Sequence, residues 1–156
     1  MKKRKLAVSD KDDLIAELVR KTDHKTLAVW ACDCAERALP YFENKYPHDN
    51  RPRQAIEASR EWVKTGVFKM ADVRRVSLAA HAAAREVEDD DAARSAARAA
   101  GQALATAHVP THAIAAAIYA ATTVRDSAEP ADAEIALERE REWQLQHLLN
   151  LSEITS

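Results

Sequence analysis

The side chains best suited to chemistry are His81, His108 and His112, two arginines upstream of the first, and the close pair Cys32 and Cys34. Arg74 lies seven residues before His81 and shares its helical face, and an arginine with an imidazole is able to support metal-free phosphodiester cleavage. His108 and His112 have the i,i+4 spacing of a metal pair, but Pro110 between them breaks the helical register such a pair needs. No carboxylate close in sequence completes a site there. A hydrogen-bonded core or interhelix position is the first reading for all three histidines, with metal ligation as the alternative. Cys32 and Cys34 project about 160° apart on a helix, so they do not chelate one metal together. Cys34 reads as core and Cys32 as exposed or incidental. The chain has no G-x-x-x-x-G-K, G-x-G-x-x-G, G-x-S-x-G or H-E-x-x-H, which argues against P-loop NTP hydrolysis and nicotinamide chemistry. No cofactor and no metal are expected.

A second set of residues looks structural. Between Trp30 and Trp62, two amphipathic segments flank a polar corner, PHDNRP. Leu27, Trp30, Ala31, Cys34, Ala38, Tyr41 and Phe42 follow the spacing of one apolar helical face, with Arg37 at its edge and Asp33 one turn before it. Trp30, Asp33, Arg37, Asp49, Arg51 and Trp62 are therefore read as a polar network locking that corner. A surface pair of Asp33 with Arg37, or a partner contact, remains an alternative reading. Further on, Glu86, Glu88, Asp89, Asp90 and Asp91 crowd acidic charge into one short run. Its plain reading is a solvated corner that favours the next helix start. Its functional reading is an acidic surface for a basic partner. The basic start KKRK reads as a frayed terminus rather than a nucleic-acid arm.

These residues must be positioned by helices. Two glycines in 156 residues leave too few for a turn-rich β fold. Leu14, Ile15, Leu18 and Val19 mark a first helix. Asp23 caps a second running toward Tyr46, with Pro40 as a kink. Pro52 opens a third that Gly66 stops. Alanine-rich helices are predicted from about Ala71 to Val87, Asp91 to Val109 and Pro110 to Val124, and Pro130 opens a charged seventh ending near Leu149. Alanine brings little apolar area, so such helices must approach closely, with the larger side chains at the periphery. Gly101 within one of them predicts a helix crossing point. The length fits one domain, 1–156, with residues 1–8 frayed. A net charge of −2 gives no global field toward nucleic acid or anionic lipid, and no apolar run is long enough for a membrane span. The lack of a secretory apolar region and the absence of a disulfide framework point to the cytoplasm.

Taken together, W-x-x-D-C-A-E-R (Trp30 to Arg37), Y-P-x-D-x-R-P-R-x-A-I (Tyr46 to Ile56), Trp62, A-H-A-A-A-R (Ala80 to Arg85) and A-R-A-A-G-Q-A-x-A-T-A-H (Ala97 to His108) form an ordered pattern. It resembles the small all-helical immunity proteins of bacterial polymorphic toxin systems, over about residues 24–125. The resemblance implies a protein that binds a cognate toxin, with no catalysis of its own. Two other classes stay open. HEPN-like RNases place an Arg four to six residues before a His, and Arg75 with His81 has that spacing, although Val76 stands where the motif usually has a polar residue. An oligomeric helical scaffold is the third. The expectation is an all-α, compact single-domain bundle of six to seven helices with an alanine-rich core.

Overall fold

Local signals in the chain account for most helix ends. In the computed structural model, which describes residues 5–155, the helices are α1 (Asp12–Arg20), α2 (His24–Ala38), α3 (Pro40–Glu43), α4 (Arg51–Thr65), α5 (Met70–Arg85), α6 (Asp91–Ala105), α7 (His112–Ser127) and α8 (Ala133–Thr155). The Asp23 carboxylate accepts the Thr26 amide and starts α2. Asp90 does the same for α6 through Ala93. Gly66 ends α4 in the left-handed region at φ 71°, donating its amide to the Trp62 carbonyl. Pro40 interrupts the second helix after Leu39, and α3 is its one-turn continuation; counted so, the fold has seven helices. That break turns Tyr41 out of the apolar face to 40% exposure, while Phe42 stays buried. A 3-10 turn at Pro130–Asp132 leads into α8.

Helix α6 is the hub. It packs against α7, α5, α4, α2 and α3. Ala92, Ala93, Ala96, Ala97, Ala99, Ala100 and Ala103 are buried around it, so neighbouring helices meet little more than methyl groups. Only a stripe through Asp91, Arg94, Ser95, Arg98, Gln102 and Ala105 keeps solvent contact. The bulk of the core lies inside the bundle rather than at its edge: Trp30, Leu39, Phe42, Ile56 and Leu104 are fully buried. The alanine packing on one side of α2 leaves room on its other side for the indole. Helix α8 closes the bundle over α2 and α7.

The N-terminal segment departs from the frayed end expected for 1–8. Residues 1–4 lie outside the described part, but Ala7 is buried and donates its amide to Thr122 Oγ1 at 3.0 Å. The Lys5 carbonyl accepts from Arg125 at 2.6 Å. Two backbone groups paired to α7 fix an extended strand-like approach without a sheet. No described helix is long and apolar enough to cross a membrane.

Candidate functional site

The polar motif of α2 faces α8, not the corner it was expected to lock. Trp30 is fully buried and its indole N–H donates to the Gln144 carbonyl at 2.8 Å. Arg37 donates twice to Glu140, at 2.8 and 2.9 Å, while its guanidinium lies 3.9 Å from the centre of the Trp143 ring. Glu140 is 5% exposed, so the ion pair is what allows that carboxylate to be buried. Asp33 sits 2.7 Å from His147 Nε2 and 3.0 Å from Arg60 on α4. Behind this row, Gln144 is wholly buried; its amide donates to the Ala117 carbonyl and its oxygen accepts from Arg141, which also holds Asp12 at 2.7 Å. One helical face of α2 therefore latches α8 and, through it, α1 and α7. Cys34 packs inside this region and Cys32 against α4; burial raises the Cys34 thiol well above its ordinary pKa and the Cys32 thiol to about 11. Neither is reactive thiolate, and Cys32 is core rather than exposed.

The other expected members form a separate cluster. Asp49 accepts three hydrogen bonds from Arg51, whose remaining arm reaches Glu86 at 2.8 Å. The Arg51 guanidinium holds Asp49 below the usual carboxylate range. Trp62 belongs to neither group: it packs against His24 with the rings tilted at 48° and their centres 4.9 Å apart. Six residues read as one network thus serve three different contacts, because helix faces two turns apart in sequence meet different neighbours.

The histidines also separate. His81 projects from α5 onto Gly101 of α6, where an added Cβ would stand 2.8 Å from two ring atoms. The glycine is therefore a crossing point, as its position in an alanine helix predicted. Burial lowers the His81 pKa to about 4, with Arg98, Arg85 and His112 pushing the same way. Its Nδ1 is buried without a hydrogen-bond partner. His112 meets Gln102 through Nδ1 at 2.7 Å. His108 stacks with Phe68 at 6.0 Å. Among the described residues no group of His, Cys, Asp and Glu has the makings of a metal site. Arg74 and Arg75 are exposed on α5, and Arg75 lies near Asp72.

The α6 stripe lies at the floor of a cleft of about 240 Å³ beside α7. Its polar lining is Asp91, Arg94, Ser95, Arg98, Tyr119 and Asp126. Three of its four charges are matched: Arg94 pairs with Asp91 at 2.7 Å and Asp126 with Arg125 at 2.9 Å. Arg98 is not. Its half-buried guanidinium makes no hydrogen bond or ion pair with any described residue, and the side-chain hydroxyls of Ser95 and Tyr119 are equally unspent. Burial lowers the Arg98 pKa; Tyr119 opposes this, while Arg85 and Arg94 add to the lowering.

The sequence model of the family described as Imm-5 like putative immunity protein matches residues 17–151. The chain belongs to that family. The match runs into α8, well past the 24–125 span over which the resemblance was legible, and Trp30, Asp33 and Arg37 of the recognisable motif each meet a partner on α8. No curated protein and no solved structure matches the chain.

Within this immunity-family fold the acidic run is less available than its composition suggests. Glu86 is engaged by Arg51, Asp90 caps α6 and lies 3.4 Å from Lys45, and Asp91 holds Arg94. Glu88 and Asp89 keep exposed carboxylates, Asp89 at a left-handed φ of 49° in the turn. Sequence reasoning missed Glu140, Arg141, Gln144 and His147, which look solvent-facing in a charged helix. Arg98 carried no signal beyond its place opposite the alanines of α6.

Proposed function

We propose that this chain is an immunity protein that acts in the cytoplasm by binding a cognate toxin and covering its active site, with no reaction of its own. The family match over 17–151 carries this reading. The ionisable groups support it: most are tied to one another as structural pairs, the thiols are buried and protonated, and the imidazole best placed for catalysis packs against a glycine. Binding needs only a preorganised surface, and charge at its rim sets association rate and selectivity.

The test is co-expression with the polypeptide encoded beside this gene. The expected result is a stable one-to-one complex on gel filtration and rescue of growth from that polypeptide's toxicity. Growth arrest that persists despite soluble chain would overturn the reading. The RNase alternative has its own readout, RNA cleavage in chelator by the purified chain, lost in His81→Ala. The scaffold alternative predicts a homo-oligomer in the absence of any partner.

A further inference from the structure

We infer that the cleft floored by Arg98 is the anchor pocket of the toxin interface and receives one carboxylate, an Asp or Glu side chain of the toxin. The inference rests on the immunity reading and adds the chemistry of the contact. Arg98 is the starting point. Its guanidinium is partly desolvated and has no acceptor among the described residues, so it gives the folded chain no ion pair in return for that burial. Every other described arginine that is not exposed has found a carboxylate; this one faces a cleft instead, beside like charge from Arg94 and Arg85. Ser95 one turn before it and Tyr119 across from it add hydroxyl donors to the same space. Three unspent donors converging on about 240 Å³ is the arrangement an oxyanion completes.

The charge count selects a carboxylate over a phosphate. With Asp91 committed to Arg94 and Asp126 to Arg125, Arg98 is the one charged group among the described lining residues left without a partner. A singly charged planar carboxylate accepts from a single guanidinium bidentately and leaves the cleft neutral. A phosphate group would bring further negative charge within reach of Asp91 and Asp126, with no second unpaired cation among the described lining residues. An RNA backbone or phosphopeptide is therefore the poorer fit. Small residues on α6 and the matched pairs around the rim keep the pocket preformed, so a partner side chain pays little to order it.

Two measurements test this on the full chain. In the first, the isotope-labelled protein is titrated with sodium acetate and, at matched ionic strength, with inorganic phosphate, following the Arg98 Nε–H resonance. A saturable shift with acetate, absent in Arg98→Gln, is expected; a tighter response to phosphate, or no saturable response to either, overturns the assignment. In the second, the toxin identified by co-expression is bound to the wild-type chain and to Arg98→Gln, with Arg98→Lys as a control that keeps charge but loses the planar fork. Affinity should fall at least roughly 30-fold for Arg98→Gln, with Arg98→Lys between the two, while thermal unfolding shows each variant folded. Wild-type binding with Arg98→Gln binding equally well overturns the anchor alone. Failure of the wild-type chain to bind at all strikes the immunity reading, and the acetate result still decides whether the cleft takes a carboxylate.

Discussion

The α2–α8 latch and the α6 cleft both contain arginines beside an aromatic ring, and they treat them oppositely. In the latch, Arg37 donates twice to Glu140 and lies on Trp143. In the cleft, Arg98 lies with Tyr119 and donates to no described residue. The first arrangement is complete within one chain and has only stability to give. The second is incomplete, and an incomplete donor set persists in a fold only where something outside the chain finishes it or where selection tolerates its cost. The paired arginines therefore mark architecture here, and the half-buried arginine without a carboxylate marks the candidate for binding.

Breaking the latch should give the largest effects. Trp30→Ala removes a fully buried indole and its hydrogen bond to Gln144, and should destabilise by about 3–5 kcal/mol. Arg37→Ala leaves Glu140 buried without its cation and should cost about 2–3 kcal/mol, discounted because Arg37 itself is partly exposed. Urea unfolding at neutral pH measures both. If Arg37→Ala unfolds at the wild-type midpoint, Glu140 has escaped to water and the latch is only a surface pair.

The elements were largely legible in the sequence, and the latch was not. Asp23, Pro52 and Gly66 act on their own backbone neighbours, so a local reading finds them. Gly101 stood out because glycine in an alanine helix needs a close approach to justify it, and His81 supplies that approach. Arg37 was recognised as constrained, yet its partner lies 103 residues away. Nothing in a charged helix such as LEREREWQLQHLL distinguishes the buried Glu140, Arg141 and Gln144 from their exposed neighbours, because burial of polar groups is decided by which helix arrives opposite. The cleft is harder still, since an unpaired arginine is defined by absent neighbours.

The α5–α6 crossing behind the cleft-lining helix can be probed by a double-mutant cycle. Gly101→Ala gains about 1 kcal/mol of helix propensity but sets a methyl group 2.8 Å from the His81 ring. We expect net destabilisation of about 1–2 kcal/mol in the wild-type background and a reversal to stabilisation when combined with His81→Ala. Simple additivity of the two changes, by thermal melts of all four forms, would mean that the ring swings away at no cost.

A pH scan reads the same histidine. Its folded pKa of about 4 lies below the ordinary 6.5, so between those values the unfolded chain binds a proton that the folded chain refuses. Stability is full above about pH 6.5 and falls as pH drops toward 4. His81→Gln should flatten that decline. The residual slope falls to His112, whose pKa is lowered by burial and by His108. Identical slopes for His81→Gln and wild type between pH 7 and 5 would place the His81 ring in water rather than against Gly101.

The smallest stability change should come from the residue with the most to do in binding. Arg98→Met keeps an apolar stem along α6 and removes a guanidinium that the folded chain leaves without hydrogen bonds. The folded state gains by not desolvating a charge, and it loses no pair, since Arg94 and Asp91 remain together. The midpoint of unfolding should therefore stay within about 0.5 kcal/mol of wild type or move upward. A clear loss of stability would show that Arg98 finds a partner in solution, and the contrast between latch and cleft would collapse. An unchanged or raised midpoint, with toxin affinity lost in the same variant, would separate the two regions cleanly: one holds the bundle together, and the other is held ready at a cost to it.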